Sequence, residues 1–200
     1  MRRLLVALRG SFHLAAPSLS SPAELNQSSE HNVFVQRARA GVGSFVFLVL
    51  VPGIVAGVIP WLLTRWDTKA DFADWLPVRI LGSALIVLGV IVLLEAFARF
   101  VFEGLGTPAP VAPTEQLVVG GLYRYVRNPM YLAVGATIVG QGFVLGRPSL
   151  FLYAAGFALA AVAFVHWYEE PALSRQFGQE YETYRRAVPA WWPRRRPWPA

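Results

Sequence analysis

Gly121-Leu122-Tyr123-Arg124-Tyr125-Val126-Arg127-Asn128-Pro129-Met130-Tyr131 opens a long apolar segment that ends at Glu169-Glu170-Pro171-Ala172-Leu173. Between the two polar blocks the chain is apolar except around Arg147 and Pro148. Two apolar stretches joined by two residues can only fold back on each other, so the spacing predicts an antiparallel helical hairpin. A helix rises about 1.5 Å per residue, so such a hairpin carries the chain away from Tyr131 and returns it to Glu169. The guanidinium of Arg127 and the carboxylates of Glu169 and Glu170 are thereby expected side by side. Charges at the end of apolar helices are costly unless they face a cavity or water, which makes this cluster the candidate functional site.

Working outward, four apolar stretches approach the roughly 20 residues that a hydrocarbon core requires: 43–63, 80–98, 130–146 and 149–168. Pro52 and Pro60 interrupt the first, which kinks a membrane helix without forbidding it. Composition agrees, since 55% of the residues are hydrophobic and only 15% are charged. That leaves too little polar surface for a soluble globule of this length. The expected fold is all-α: a polytopic membrane protein with four transmembrane helices, the hairpin, and a C-terminal amphipathic helix. Small residues in the hairpin, Gly135, Gly140, Gly142, Gly146, Ala154, Ala155, Gly156, Ala158 and Ala161, are expected to let its helices approach closely.

Charge placement sets the expected topology. Arg2, Arg3, Arg9, Arg37 and Arg39 precede the first stretch; Arg99, Arg124 and Arg127 lie between the second and third; Arg175, Arg185, Arg186, Arg194, Arg195 and Arg196 follow the fourth. The other side holds only Arg65, Lys69, Arg79 and Arg147. Both termini and the middle loop are therefore expected in the cytoplasm. The same bias accounts for the net charge of +6 without nucleic acid, for which no groove-reading motif is present. Cysteine is absent, and His13, His31 and His166 stand too far apart for metal-ligand spacing, so no metal is expected.

Residues 1–40 read as an N-terminal tail rather than part of the core. Their arginines and serines resemble a targeting peptide, but Arg9 breaks the short apolar run, so a disordered tail is the expectation. Residues 41–200 form the expected membrane domain. Within it, the Pro-rich segment 104–113 is expected to be extended and able to cover the site. After Pro171, the residues Leu173, Phe177, Tyr181, Tyr184 and Val188 recur at intervals of four, four, three and four. That stripe predicts an amphipathic helix lying on the protein or on the lipid interface. Trp191, Trp192 and Trp198 among Arg194–Arg196 read as an interfacial anchor. Glu95 and Arg99 read as a local ion pair.

The spaced elements Gly121-x-Tyr123-x-x-x-Arg127-Asn128-Pro129-x-Tyr131, Glu169-Glu170-x-x-Leu173, Phe177-Gly178-x-Glu180-Tyr181-x-x-Tyr184 and Val188-Pro189 resemble the isoprenylcysteine carboxyl methyltransferase family and its phospholipid-methylating relatives. The resemblance covers 104–193, about half the chain. It implies an S-adenosylmethionine-dependent methyltransferase, with Gln116, Leu117, Val118, Tyr123, Asn128, Pro129, Tyr131 and Glu169 lining the cofactor. Two positions depart from the family's eukaryotic members: Asn128 stands where they carry His, and Val165 beside His166 where they carry Arg.

The residue types suit that cofactor on their own terms. Arg127 can pair a carboxylate, Glu169 an ammonium, and Tyr123 or Tyr131 a sulfonium through its ring face. An acceptor that is already a carboxylate needs no base, whereas an ammonium must lose a proton; Glu170 and His166 are the candidate catalytic residues for that task. Either Glu could instead only cap the following helix. The expected acceptor is a lipophilic molecule carrying a carboxyl or thiol-linked group, isoprenoid-like in character, with ethanolamine-phospholipid N-methylation as the alternative. A membrane reductase using a nicotinamide cofactor and a non-enzymatic helical membrane protein are the readings of other classes.

Overall fold

The computed structural model describes residues 50–68, 75–103 and 116–199. The expectations for the N-terminal tail, for the start of the first apolar stretch and for the Pro-rich segment 104–113 lie outside the described residues. Every regular element among the described residues is helical.

Helix α1 (Leu50–Thr64) shows how the chain tolerates its prolines. Pro60 has no N–H, so the carbonyl four residues earlier, Ala56 O, loses its helical donor. The helix widens there into a π turn over Ile54–Val58. Side chains from two other helices then meet the freed carbonyls: Gln141 Nε2 donates to Ala56 O at 2.6 Å and Tyr153 Oη donates to Val55 O at 2.8 Å. Thr64 Oγ1 donates back to Pro60 O at 2.7 Å. A glutamine in the middle of an apolar helix is thus explained by its partner, a carbonyl that has lost its helical donor.

Helix α2 (Leu76–Phe102) is the longest element. Helix α3 (Pro129–Leu145) follows the motif block and ends at Gly146, whose φ of 62° places it in the left-handed cap that glycine adopts without strain. Helix α4 (Pro148–Phe164) starts two residues later and runs through a second π turn, Val165–Glu169, into α5 (Glu170–Phe177). Gly178 (φ 53°) separates α5 from α6 (Gln179–Ala187). The hairpin expected from Arg147-Pro148 is therefore present as α3 and α4. Arg147 also clips the turn to the end of α1, donating from Nε to Asp67 O at 2.8 Å and from Nη2 to Thr64 O at 3.2 Å.

The closest helix crossing is between α2 and α3, not within the hairpin. A Cβ added at Gly82 would lie 2.7 Å from Gly140 O, and one at Gly140 would lie 2.6 Å from Gly82 O. At Gly156 of α4 the same test meets nothing within 4 Å, and at Gly135 only Phe157 at 3.9 Å. Gly140, expected on the hairpin seam, instead faces α2, because Gly82 supplies the matching hollow. Gly142 does serve the hairpin, against the Phe151 ring at 3.0 Å.

Two helices, Leu76–Arg99 and Pro148–Phe177, are long and apolar enough to cross a membrane, and only 22% of each apolar window is buried. A soluble core helix of that hydropathy would be mostly covered, whereas Leu152, Leu159 and Trp167 point outward at three-quarters exposure. Leu50–Thr64 and Pro129–Leu145 are shorter apolar helices.

Replacing Gln141 by Leu leaves Ala56 O without a donor, so this variant is expected to lose about 1 kcal/mol of stability, the scale of interhelical hydrogen bonds in membranes. Thermal unfolding in detergent, with Tyr153→Phe as a second probe of the same π turn, measures it.

Candidate functional site

The hairpin brings the two polar blocks together. Arg127 Nη1 donates to Glu170 Oε1 at 2.6 Å, and the same nitrogen lies 3.1 Å from the hydroxyl of Tyr181, which accepts. One turn into α3, Tyr131 Oη donates to Glu169 Oε1 at 2.6 Å. Both carboxylates reach one place because the π turn rotates less per residue than an α-helix, so that neighbouring side chains stay on one side. Neither glutamate caps the following helix through its side chain. The Arg127 and Glu170 side chains are only 12% and 14% exposed, which sets this pair apart from a solvated ion pair.

Leu117, Tyr123, Arg127, Asn128, Glu169 and Glu170 line a hollow of about 40 Å³, closed by Val165, Leu173, Tyr181 and Tyr184. It has room for about three water molecules. Arg127 Nε is buried inside this region with no hydrogen-bond partner, an unmet donor on a charged group. Burial raises the phenol of Tyr123 well above its ordinary range, with the charges of Tyr184, Glu169 and Glu95 adding to it. Burial does the same for Tyr181 and Tyr184, where the Arg127 guanidinium opposes the rise. All three phenols therefore stay protonated at neutral pH and act as neutral walls and donors.

The other residues singled out from sequence sit around this hollow in different ways. Pro129 is fully buried at the start of α3, and Val118 is buried beside Ala96 and Tyr123. Neither lines the hollow. Gln116 is exposed, as is His166, whose ring stands near Trp167 instead. Tyr181, Tyr184, Leu173 and Val165 join the hollow although sequence reading did not assign them to it. Three of these four belong to the stripe after Pro171, and that periodicity was the available signal. The stripe packs on the protein: Tyr181, Tyr184 and Val188 are buried against Leu117, Val119 and Trp198.

The C-terminal segment has a structural role beyond an interfacial anchor. It lies along the motif loop and bonds to it through the backbone: Arg127 N donates to Pro189 O, Arg194 N to Tyr125 O and Trp198 N to Arg124 O, each at 3.0 Å. Arg124 Nε returns a bond to Trp198 O at 2.7 Å, and Asn128 Nδ2 donates to Ala190 O at 3.2 Å. Trp191 stands against Tyr131 with ring centroids 6.3 Å apart, and Trp198 against Tyr184 at 5.4 Å. Only Trp192 of the three tryptophans projects outward, at 80% exposure. The strap thus fixes Arg127 and Asn128 from behind while α5 and α6 hold them from the front.

Residues 78–180 match the family model of phospholipid methyltransferase. That segment is more than half of the chain and contains all but the first two residues of α2, the motif loop, the hairpin and both carboxylates. The chain belongs to the phospholipid methyltransferase family. Membership makes it one of a family of membrane methyltransferases acting on lipid. No curated protein and no solved structure matches the chain. Tyr181, Tyr184 and the strap lie beyond the segment that matches phospholipid methyltransferase. Among the described residues no group of His, Asp and Glu is arranged to hold a metal ion.

Arg127→Ala would leave Glu170 buried without its cation, and such broken pairs cost about 3–5 kcal/mol. A double variant, Arg127→Ala with Glu170→Ala, is expected to recover much of that loss in thermal unfolding, and full additivity of the single effects would contradict the coupling.

Proposed function

We propose that the hollow receives the amino-acid end of S-adenosylmethionine and that the chain transfers a methyl group to a lipophilic acceptor at the membrane. The observation that carries this reading is the buried Arg127 Nε with no hydrogen-bond partner in the same hollow as a carboxylate, Glu169, that accepts from the neutral phenol of Tyr131. Arg127, though paired with Glu170 at 2.6 Å, still lacks an acceptor for one N–H, and Glu169 lacks a cation. An α-amino acid group supplies both. The donor set therefore fits the charged end of the cofactor, while about 40 Å³ is too small for the whole molecule, since small-molecule sites run to several hundred Å³.

Bound there, S-adenosylmethionine supplies an electrophilic methyl group on a positively charged sulfur. Arg127 would hold the carboxylate and Glu169 the ammonium. Tyr123, Tyr181 and Tyr184 present neutral, protonated aromatic surface that excludes water and favours a cation. Asn128, held by Ala190 O, and Leu117 complete the lining; Tyr131 orients Glu169. Val118 and Pro129 support the wall from behind, and Gln116 borders it from the exposed side. Glu170, which also fixes Arg127, and His166, exposed beside Trp167, remain the candidates to take the proton of an ammonium acceptor.

The family match favours a phospholipid amine as acceptor over an isoprenoid-like carboxyl group. Four crossings with both termini in the cytoplasm follow if α1 and α3 also span, which the clustering of arginines on one side supports. The methyl donor then meets the site from the cytosol and the acceptor from the bilayer.

Calorimetry of the purified protein in detergent is expected to detect S-adenosylmethionine binding, and Glu169→Ala to weaken it tenfold or more, since a charge-assisted contact contributes roughly 1.5–3 kcal/mol. Unchanged affinity in that variant refutes the pocket. Membranes containing the protein, supplied with methyl-labelled cofactor, are expected to yield labelled lipid whose label mild base does not release as methanol, since N-methyl groups survive that treatment and methyl esters do not.

A further inference from the structure

Glu95, Arg99 and Glu103 occupy successive turns at the end of α2, spaced by four, so they form a ladder on one face. Arg99 stands between two acids: its Nε donates to Glu95 Oε1 at 3.0 Å and its Nη1 to Glu103 Oε1. The second oxygen of Glu103 leaves the helix and accepts the backbone N–H of Gly120 at 3.2 Å. Gly121, with φ of 53°, lies directly on the ladder; a Cβ there would fall onto Glu95 Oε1 and approach Arg99 Nε at 2.6 Å, and a Cβ on Gly120 would fall onto the Glu103 carboxylate. Between them, Ala96 is fully buried against Val118 and Tyr123.

From Gly120 the chain has little freedom to absorb a displacement. Tyr123 N bonds Gly120 O, Tyr125 N and Val126 N bond Leu122 O, and Arg127 N bonds Pro189 O. Tyr123 O in turn accepts from Tyr184 Oη at 2.7 Å. A shift of Gly120 is therefore passed to Tyr123 and Arg127. The ladder's side chains are 32% to 42% exposed, and such ion pairs add little stability. Their tight fit to two glycines points to placement instead.

We propose that Glu103, held by Arg99 and Glu95, is a positioning residue that grips the Gly120 N–H and so sets Tyr123 and Arg127 at the site. The proposal deepens the cofactor reading above and rests on it for its binding arm only. Its second arm needs no ligand.

The full-length protein in detergent is compared with Glu103→Ala, Glu103→Gln, Gly120→Ala and the double variant Gly120→Ala with Glu103→Ala. Amide hydrogen exchange over 120–127 is expected to quicken about tenfold in Glu103→Ala, with S-adenosylmethionine affinity falling about tenfold and the melting temperature nearly unchanged. Glu103→Gln, whose amide oxygen still accepts from Gly120, is expected to keep affinity within about threefold of the unaltered protein. Gly120→Ala alone is expected to be as harmful as Glu103→Ala, yet to add nothing in the double variant, where the colliding carboxylate is gone. Unaltered exchange in Glu103→Ala, equal losses in the Gln and Ala variants, or additive effects in the double variant each overturn the proposal. Failure of the unaltered protein to bind S-adenosylmethionine overturns the cofactor reading, while the exchange measurements still decide the role of Glu103.

Discussion

The site depends on the register between the two arms of the hairpin. Helices α3 and α4 each have 17 residues, so the chain travels about 25 Å out and the same distance back before the π turn begins. One extra turn in either arm would shift Glu170 by about 5.4 Å relative to Arg127, far beyond hydrogen-bond reach. The Arg127–Glu170 contact is thus a register mark. Desolvation offsets much of what such a pair gains, so its worth lies less in net stability than in the cost of leaving either partner alone. The rest of the site is arranged around keeping it in place: Tyr181 lies against the same guanidinium nitrogen, the strap bonds the Arg127 backbone, and α5 carries Leu173 over the hollow.

What the sequence made legible were the features written in side-chain periodicity. The hairpin, the pairing of the motif block with the Glu pair, and the stripe from Leu173 to Val188 all follow from where apolar residues recur. The strap did not announce itself, because most of its contacts run from backbone N–H to C=O and carry no residue signature; its tryptophans and arginines read only as an interfacial anchor. The α2–α3 crossing was hidden for a related reason. Gly82 and Gly140 are each unremarkable in an apolar helix, and only their juxtaposition in space distinguishes them from Gly156, which faces open surface. Arg127 was read as a ligand for the cofactor, and its first partner turns out to be Glu170, a competition between two acids that spacing alone could not resolve.

The glutamate spacing at the end of α2 was visible too, but only as a helix-internal pair. Its outward reach to Gly120 depends on the motif loop returning to α2, a contact across 17 residues. Adjacent glycines at 120 and 121 were the one sequence sign of that close approach, since any side chain there would meet the ladder.

Charge balance explains why this end of the fold suits a cationic ligand. Arg127 and Glu170 cancel, and Arg99 is shared between Glu95 and Glu103. Glu169 is left with a neutral phenol for company, and one oxygen of Glu95 is buried without a partner. The tyrosines that close the hollow stay protonated and neutral, so they neither add to that negative charge nor offset it. In a region screened from water by apolar walls, uncompensated negative charge acts over a longer range than on a solvated surface. On the cofactor reading proposed above, a sulfonium and an ammonium would meet that excess and a carboxylate would meet the unmet Arg127 Nε.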